Sequence, residues 1–327
     1  MLPLASLNDF FDAVDSFFSN LASVRWVPLL LGLALFGIYL TFRSRAYFNV
    51  LRAAYPGERI QWRRIWGAYV AAYGFNNIVP ARGGDVMKLF LVRTSVPGST
   101  YPAVGSSFFV EAIYDATIAI PVLAYAFTQG VFPKPPDFSS LGAFDLSFFA
   151  GNLRFTLFLL TALAVLALIG FAILSRRITL FWARVRQGLT ILFDRKRYFR
   201  EVWLVQFAGW LFRFAAFWCL LEAFNVGGSV SNVLLVLGVN AVAALVPFTP
   251  GGAGVQQALL VKVFGSGATV AAYSVGQQIA IAALTFGIGL ASVIWIFKFR
   301  SFKEVIAAGR AQREAEKTEK AAAAEPA

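Results

Sequence analysis

Asn76-Asn77-Ile78-Val79-Pro80-Ala81-Arg82-Gly83-Gly84-Asp85-Val86 interrupts one hydrophobic stretch of this chain, and Leu245-Val246-Pro247-Phe248-Thr249-Pro250-Gly251-Gly252-Ala253-Gly254-Val255 interrupts another. Each reads Val-Pro, two or three residues, Gly-Gly, then a restart of apolar helix. Proline and glycine end or kink an α-helix. The stretches 67–94 and 231–264 are therefore broken segments and not plain membrane spans.

Around them lie five segments able to cross a bilayer unaided: about 26–42, 105–127, 156–174, 202–223 and 272–297. Their apolar runs have the roughly 17–25 residues that a helix needs to cross about 30 Å of hydrocarbon. Composition agrees: 58% of the 327 residues are hydrophobic and 14% are charged, with a mean hydropathy of +0.67. Soluble domains average about 45–50% apolar and about 25% charged. The sequence predicts an all-α polytopic membrane protein of about seven to nine membrane helices, five of them full spans.

The net charge of +12 would suggest nucleic acid in a soluble protein. Here the basic residues cluster in a few loops, as membrane proteins place them to set orientation. Residues 43–66 hold Arg43, Arg45, Arg52, Arg59, Arg63 and Arg64; residues 175–201 hold eight Lys and Arg; the tail from Lys298 holds seven. The intervening loops are nearly bare of them: 128–155 has Lys134 and Arg154, while 224–230 and 265–271 have none. The positive-inside rule puts the three rich regions in the cytoplasm, the N-terminus outside and the C-terminus inside a cytoplasmic membrane. Parity then makes 67–94 a hairpin that enters and leaves on the cytoplasmic side, and 231–264 one that enters and leaves on the outer side. Two similar segments in opposite orientation form an inverted repeat, and paired Gly/Pro-interrupted segments point to a transporter's midplane site. Half-helices and tilted full helices both satisfy the parity.

Outside this 26–300 unit, residues 1–25 place Leu7, Phe10, Phe11, Val14, Phe17, Phe18 and Leu21 at helical spacing opposite Asp9, Asp12 and Asp15. That pattern predicts an amphipathic helix at the interface and no cleavable signal peptide. Residues 301–327 read as a charged cytoplasmic tail. The single cysteine, Cys219, excludes an intrachain disulfide, and the chain has no histidine, the commonest metal ligand and general base. No metal site, cofactor or catalytic group is expected.

Charged groups inside a bilayer mark function by default. The first hairpin gathers Arg82, Asp85 and Lys88 beside Asn76 and Asn77. Gly83 and Gly84 permit close backbone approach, and a restarting helix offers N–H groups and partial positive charge. Two readings are open: a phosphate receptor with Arg82 as its principal contact, or a salt-bridged turn, with Asp85 and Lys88 paired on one face, that closes the hairpin. The second hairpin has a similar helix start at Gly251, Gly252 and Gly254, with Gln256 and Gln257 as neutral hydrogen-bonding groups. It reads equally as a headgroup contact or a helix breaker for packing. Glu111 and Asp115 are four apart on one span and share a face; pairing with Arg82 or Lys88 and proton carriage are the readings considered. Arg213 lies mid-span and requires a partner, which Glu222, nine residues on and about 13 Å away along a helix, cannot be; a lipid phosphate or another carboxylate is the candidate.

These residues also carry a family resemblance. "NNIVPARGGDVMK" (76–88) resembles the Asn-x-x-x-Pro-x-x-x-Gly-Asp/Glu motif of the lysylphosphatidylglycerol synthase transmembrane family, the flippase-like domain. "FFVEAIYDA" (108–116) resembles that family's Glu-Arg-x-x-Asp helix, with Ala112 in place of the usual Arg. "VPFTPGGAGVQQALL" (246–260) resembles its Pro-x-x-Pro-Gly-Gly-x-Gly-x-x-Glu motif, with Gln257 in place of the usual Glu. The resemblance implies a lipid flippase or transporter handling a phospholipid or a polyprenyl-phosphate lipid, and not an enzyme. Without the family's soluble aminoacyl-transferase domain, no lysyl-lipid synthesis is expected. A membrane-embedded lipid-phosphate transferase and a non-transporting partner of a lipid-modifying glycosyltransferase are the alternatives.

Overall fold

A computed structural model of the protein describes residues 23–79, 83–129, 181–243, 254–265 and 267–299. Every regular element among them is helical. The expected N-terminal interfacial helix, the span 156–174 and the tail lie outside the described residues. Among the described residues, four helices are long and apolar enough to cross a membrane: α1 (Trp26–Ala54), α4 (Tyr101–Thr128), α5 (Arg195–Ala223) and α8 (Ala268–Trp295). Between them come α2 (Trp62–Asn76), α3 (Gly83–Ser95), α6 (Val230–Ala243) and α7 (Val255–Phe264). The chain is a multi-pass membrane protein.

Helices α1 and α5 pack antiparallel along their lengths. The Arg25 N–H donates to the Ala223 carbonyl at 2.9 Å at one end, and Asn49 Nδ2 donates to the Glu201 carbonyl at 2.8 Å at the other. Glu201 lies in a π turn, Phe199–Trp203, at the base of α5. Such a turn breaks the regular hydrogen-bond ladder, and Asn49 supplies a partner there. Phe36, Leu40, Tyr47 and Leu51 recur at helical spacing on α1 and are almost fully buried in the main core.

The two broken segments prove to be pairs of short helices. Helices α2, α3 and α7 span 15, 13 and 10 described residues, about 22, 20 and 15 Å and short of a bilayer's hydrocarbon core; α6 is described over Val230–Ala243. Their depth is read against α8. Asn77 Nδ2, at the tip of α2–α3, donates to Thr285 Oγ1 at 3.0 Å. Thr285 is ten residues before Trp295, about 15 Å in from that end of α8. Near the start of α7, Gln257 hydrogen-bonds Gln278, ten residues after Ala268 and about 15 Å in from the opposite end. The two contacts fall near the middle of α8, about two turns apart. For the first hairpin, the choice between half-helices and tilted full spans resolves to half-helices.

Close packing holds the first hairpin to α8. A Cβ at Gly74 would collide with the Thr285 carbonyl, so the two backbones touch where a side chain would separate them. A Cβ at Gly84 would collide with the Ala72 carbonyl across the hairpin, which brings α3 equally close to α2.

Helix α1 differs from its expected span. It continues past residue 42 to Ala54, so Arg43, counted above as a loop residue, sits inside the helix. The reason is that Arg43 is fully satisfied by partners from neighbouring helices.

Candidate functional site

Lys88 lies on α3, one turn beyond the glycine pair, with 7% of its surface exposed. Its ammonium sits over the rings of Tyr47, Tyr69 and Phe108, 3.9, 4.3 and 4.4 Å from their centroids. It forms an ion pair with Glu111 Oε2. The other Glu111 oxygen accepts from the Tyr69 hydroxyl at 2.9 Å and lies 3.8 Å from Arg43 Nη2. Arg43 holds both Asp115 oxygens, with Nη2 to Oδ2 at 3.0 Å. It also donates to Gln206 Oε1 at 2.7 Å and, through Nε, to the Tyr69 hydroxyl at 3.1 Å.

This network takes a group from each of five helices: Arg43 from α1, Tyr69 from α2, Lys88 from α3, Glu111 and Asp115 from α4, and Gln206 from α5. Two cations face two carboxylates, so its net charge is zero. The fork of Arg43 suits the bidentate carboxylate of Asp115, and the aromatic faces suit the compact ammonium of Lys88. Asp115 nevertheless keeps 54% of its side chain exposed, fourteen residues into α4 and about 21 Å from its start. An exposed carboxylate at that depth requires water or a polar ligand beside it.

At the hairpin starts the polar groups are engaged. The Gly84 N–H donates to Asn76 Oδ1 at 2.8 Å, and Asn76 Nδ2 donates to Asp85 Oδ1 at 2.9 Å. Asn76 thus caps α3 from within the hairpin and ties the first-turn acid, which suits the positive helix end. Asp85 therefore hydrogen-bonds Asn76, and Lys88 pairs across helices with Glu111; the one-face pairing considered for Asp85 and Lys88 gives way to these. In the second hairpin Gly254 adopts φ +83, a left-handed conformation open to glycine. Its N–H donates to Gln257 Oε1 at 2.6 Å, while Gln257 Nε2 reaches Gln278. Gln256 is 7% exposed. Arg82, Gly251 and Gly252 lie outside the described residues.

Arg213 stands apart from the network. Its guanidinium lies 5.6 Å from the Tyr39 ring centroid and 5.7 Å from that of Phe217, and its Nε is buried without a hydrogen-bond partner. Glu222 is engaged elsewhere, with Arg25 at 3.3 Å and the Gly228 N–H at 2.7 Å.

The sequence profile described as "Lysylphosphatidylglycerol synthase TM region" matches residues 10–296. The chain belongs to this family. Membership in the lysylphosphatidylglycerol synthase transmembrane family accords with the helical architecture and ties the chain to a membrane-lipid role. No curated protein and no solved structure matches it.

Sequence reasoning singled out Glu111, Asp115 and Lys88 but missed Arg43, Tyr47, Tyr69 and Gln206. Arg43 could have been found as the first basic residue after an apolar run, since nothing in that sequence ends the helix there. Tyr47 and Tyr69 carry no such signal, because aromatic residues in apolar helices ordinarily read as core.

Proposed function

We propose that this protein moves an amphiphile with an anionic headgroup, a phospholipid or a polyprenyl-phosphate lipid, across the cytoplasmic membrane without covalent chemistry. The observation that supports this reading is that the end of α2, through Asn77, and the start of α7, through Gln257, both meet the middle of α8. Helix starts inside a bilayer are supported only where they are buried or line a polar path. The charge-neutral network around Glu111 and Arg43 stands beside the first of them. The sequence puts Arg82 and the glycines of 83–84 and 251–254 there, residue types that suit phosphate oxygens. The distribution of Lys and Arg favours an outer N-terminus and a cytoplasmic C-terminus.

The test is reconstitution into liposomes carrying trace fluorescent phosphatidylglycerol or a fluorescent polyprenyl phosphate, with dithionite quenching from outside. The protein should raise the quenchable fraction of at least one of these lipids above that of protein-free liposomes. Unchanged fractions for both lipids, with correctly folded protein in the bilayer, overturn the proposal.

A further inference from the structure

Three side chains around the Arg43 network have buried polar atoms with a hydrogen to donate and no partner: Arg213 Nε, Gln206 Nε2 and Tyr114 Oη. Gln206 is fully buried and Tyr114 is 2% exposed. A buried unsatisfied donor costs about 1–3 kcal/mol, so natural structures retain few without a reason.

The three share a region. Gln206 and Arg213 are seven residues apart on α5, two turns and nearly the same face. Both turn toward α1, where Gln206 meets Arg43 and Arg213 meets the Tyr39 ring. Tyr114, on α4, packs against the Trp203 ring of α5 at 6.0 Å and lies within electrostatic reach of Arg43, Asp115 and Arg213. The amide of Gln206 is oriented by Arg43, which needs its oxygen, so the NH₂ group is the end left free.

The charges point the same way. Arg43 and Lys88 are balanced by Asp115 and Glu111. Among the described residues no carboxylate pairs with Arg213. One positive charge and three hydrogen donors therefore stand unmatched in the same part of the bundle. The unpartnered polar atoms of Asn240 on α6 and Gln277 on α8 include carbonyl oxygens, so donor excess distinguishes this region from that one.

We infer that Arg213, Gln206 and Tyr114 form an oxyanion station that takes a phosphate group. A guanidinium, a phenol and an amide NH₂ are all donors to phosphate oxygens, and the phosphate charge neutralises Arg213. The inference deepens the proposed transport, and it rests on that reading for its occupant, a phospholipid headgroup. Arg213 lies about 10 Å along α5 from Gln206, toward the Arg25–Ala223 end.

The experiment measures thermal unfolding of the full chain in detergent against rising dioctanoyl phosphatidylglycerol, dioctanoyl glycerol or inorganic phosphate. Phosphatidylglycerol should raise the melting temperature saturably, and dioctanoyl glycerol should not. Arg213→Gln should weaken the apparent affinity at least tenfold. Tyr114→Phe removes an unsatisfied hydroxyl, so it should match or exceed the parent's melting temperature without lipid and yet bind more weakly by about threefold or more. A purely structural role for Tyr114 predicts no change in binding. Saturable stabilisation by inorganic phosphate, lost in Arg213→Gln, supports the phosphate chemistry and shows that the acyl chains are dispensable. Equal stabilisation by dioctanoyl glycerol, or parental affinity in both variants, overturns the station. If Arg213→Gln does not fold, Tyr114→Phe alone decides. Liposomes separate this from the transport reading: binding without lipid movement by the parent sinks transport and leaves the station, whereas movement with parental binding in both variants does the reverse.

Discussion

Replacing Glu111 by Leu leaves the Lys88 ammonium buried without its counter-charge and weakens the hold on Arg43. Breaking a buried pair by removing one partner costs about 3–5 kcal/mol, whereas replacing both partners with apolar groups is often neutral. Glu111→Leu should therefore lower the melting temperature of the purified protein sharply, and the double variant Lys88→Met/Glu111→Leu should recover most of the loss. A double variant no more stable than the single one would show that the Lys88–Glu111 attraction does not set the cost. Glu111, Asp115 and Lys88 were legible in the sequence because charge stands out in apolar runs. Arg43 was not, since counting basic residues between segments assigns a satisfied intramembrane arginine to the adjacent loop. The Tyr47–Tyr69–Phe108 surround of Lys88 depends on three helices meeting, which no local pattern encodes.

Helix starts carry the next scale. Gln257, where the family usually has Glu, accepts from the Gly254 N–H with its oxygen and meets Gln278 with its nitrogen. A carboxylate keeps the first contact beside the positive helix start, and an amide flip at Gln278 restores the second, so Gln257→Glu should lower the melting temperature less than Gln257→Leu does. Gln257→Leu loses the cap and should cost about 1 kcal/mol. Equal losses in the two variants would show that the cap does not account for the residue. At Gly84, Ala substitution forces α3 away from the Ala72 carbonyl. It should destabilise by about 1–3 kcal/mol, the range for overpacking a filled site, measured as a fall in melting temperature. An unchanged value would mean that the hairpin is not tightly closed. The Val-Pro…Gly-Gly signals announced both breaks. They were silent on depth, which Asn77 and Gln257 fix through Thr285 and Gln278, residues unremarkable in the sequence of α8.

For the whole molecule, the proposed transport requires two hairpins that enter from opposite faces of the membrane. The all-helical, multi-pass architecture was readable from hydropathy. Which helices enclose the charges was not, because antiparallel α1–α5 packing and the α2–α8 contact join segments more than a hundred residues apart. The decisive measurement is labelling with a membrane-impermeant thiol reagent in sealed vesicles of defined orientation. Single cysteines are placed, in a Cys219→Ser background, at Glu58 and Pro97, which flank the first hairpin, and at Val230 and Gly267, which flank the second; the first three are exposed side chains and Gly267 has open space for one. The account predicts that cysteines at 58 and 97 react from one face only, and those at 230 and 267 from the other face only. Reaction of 58 and 97 from opposite faces, or of all four positions from the same face, would contradict it.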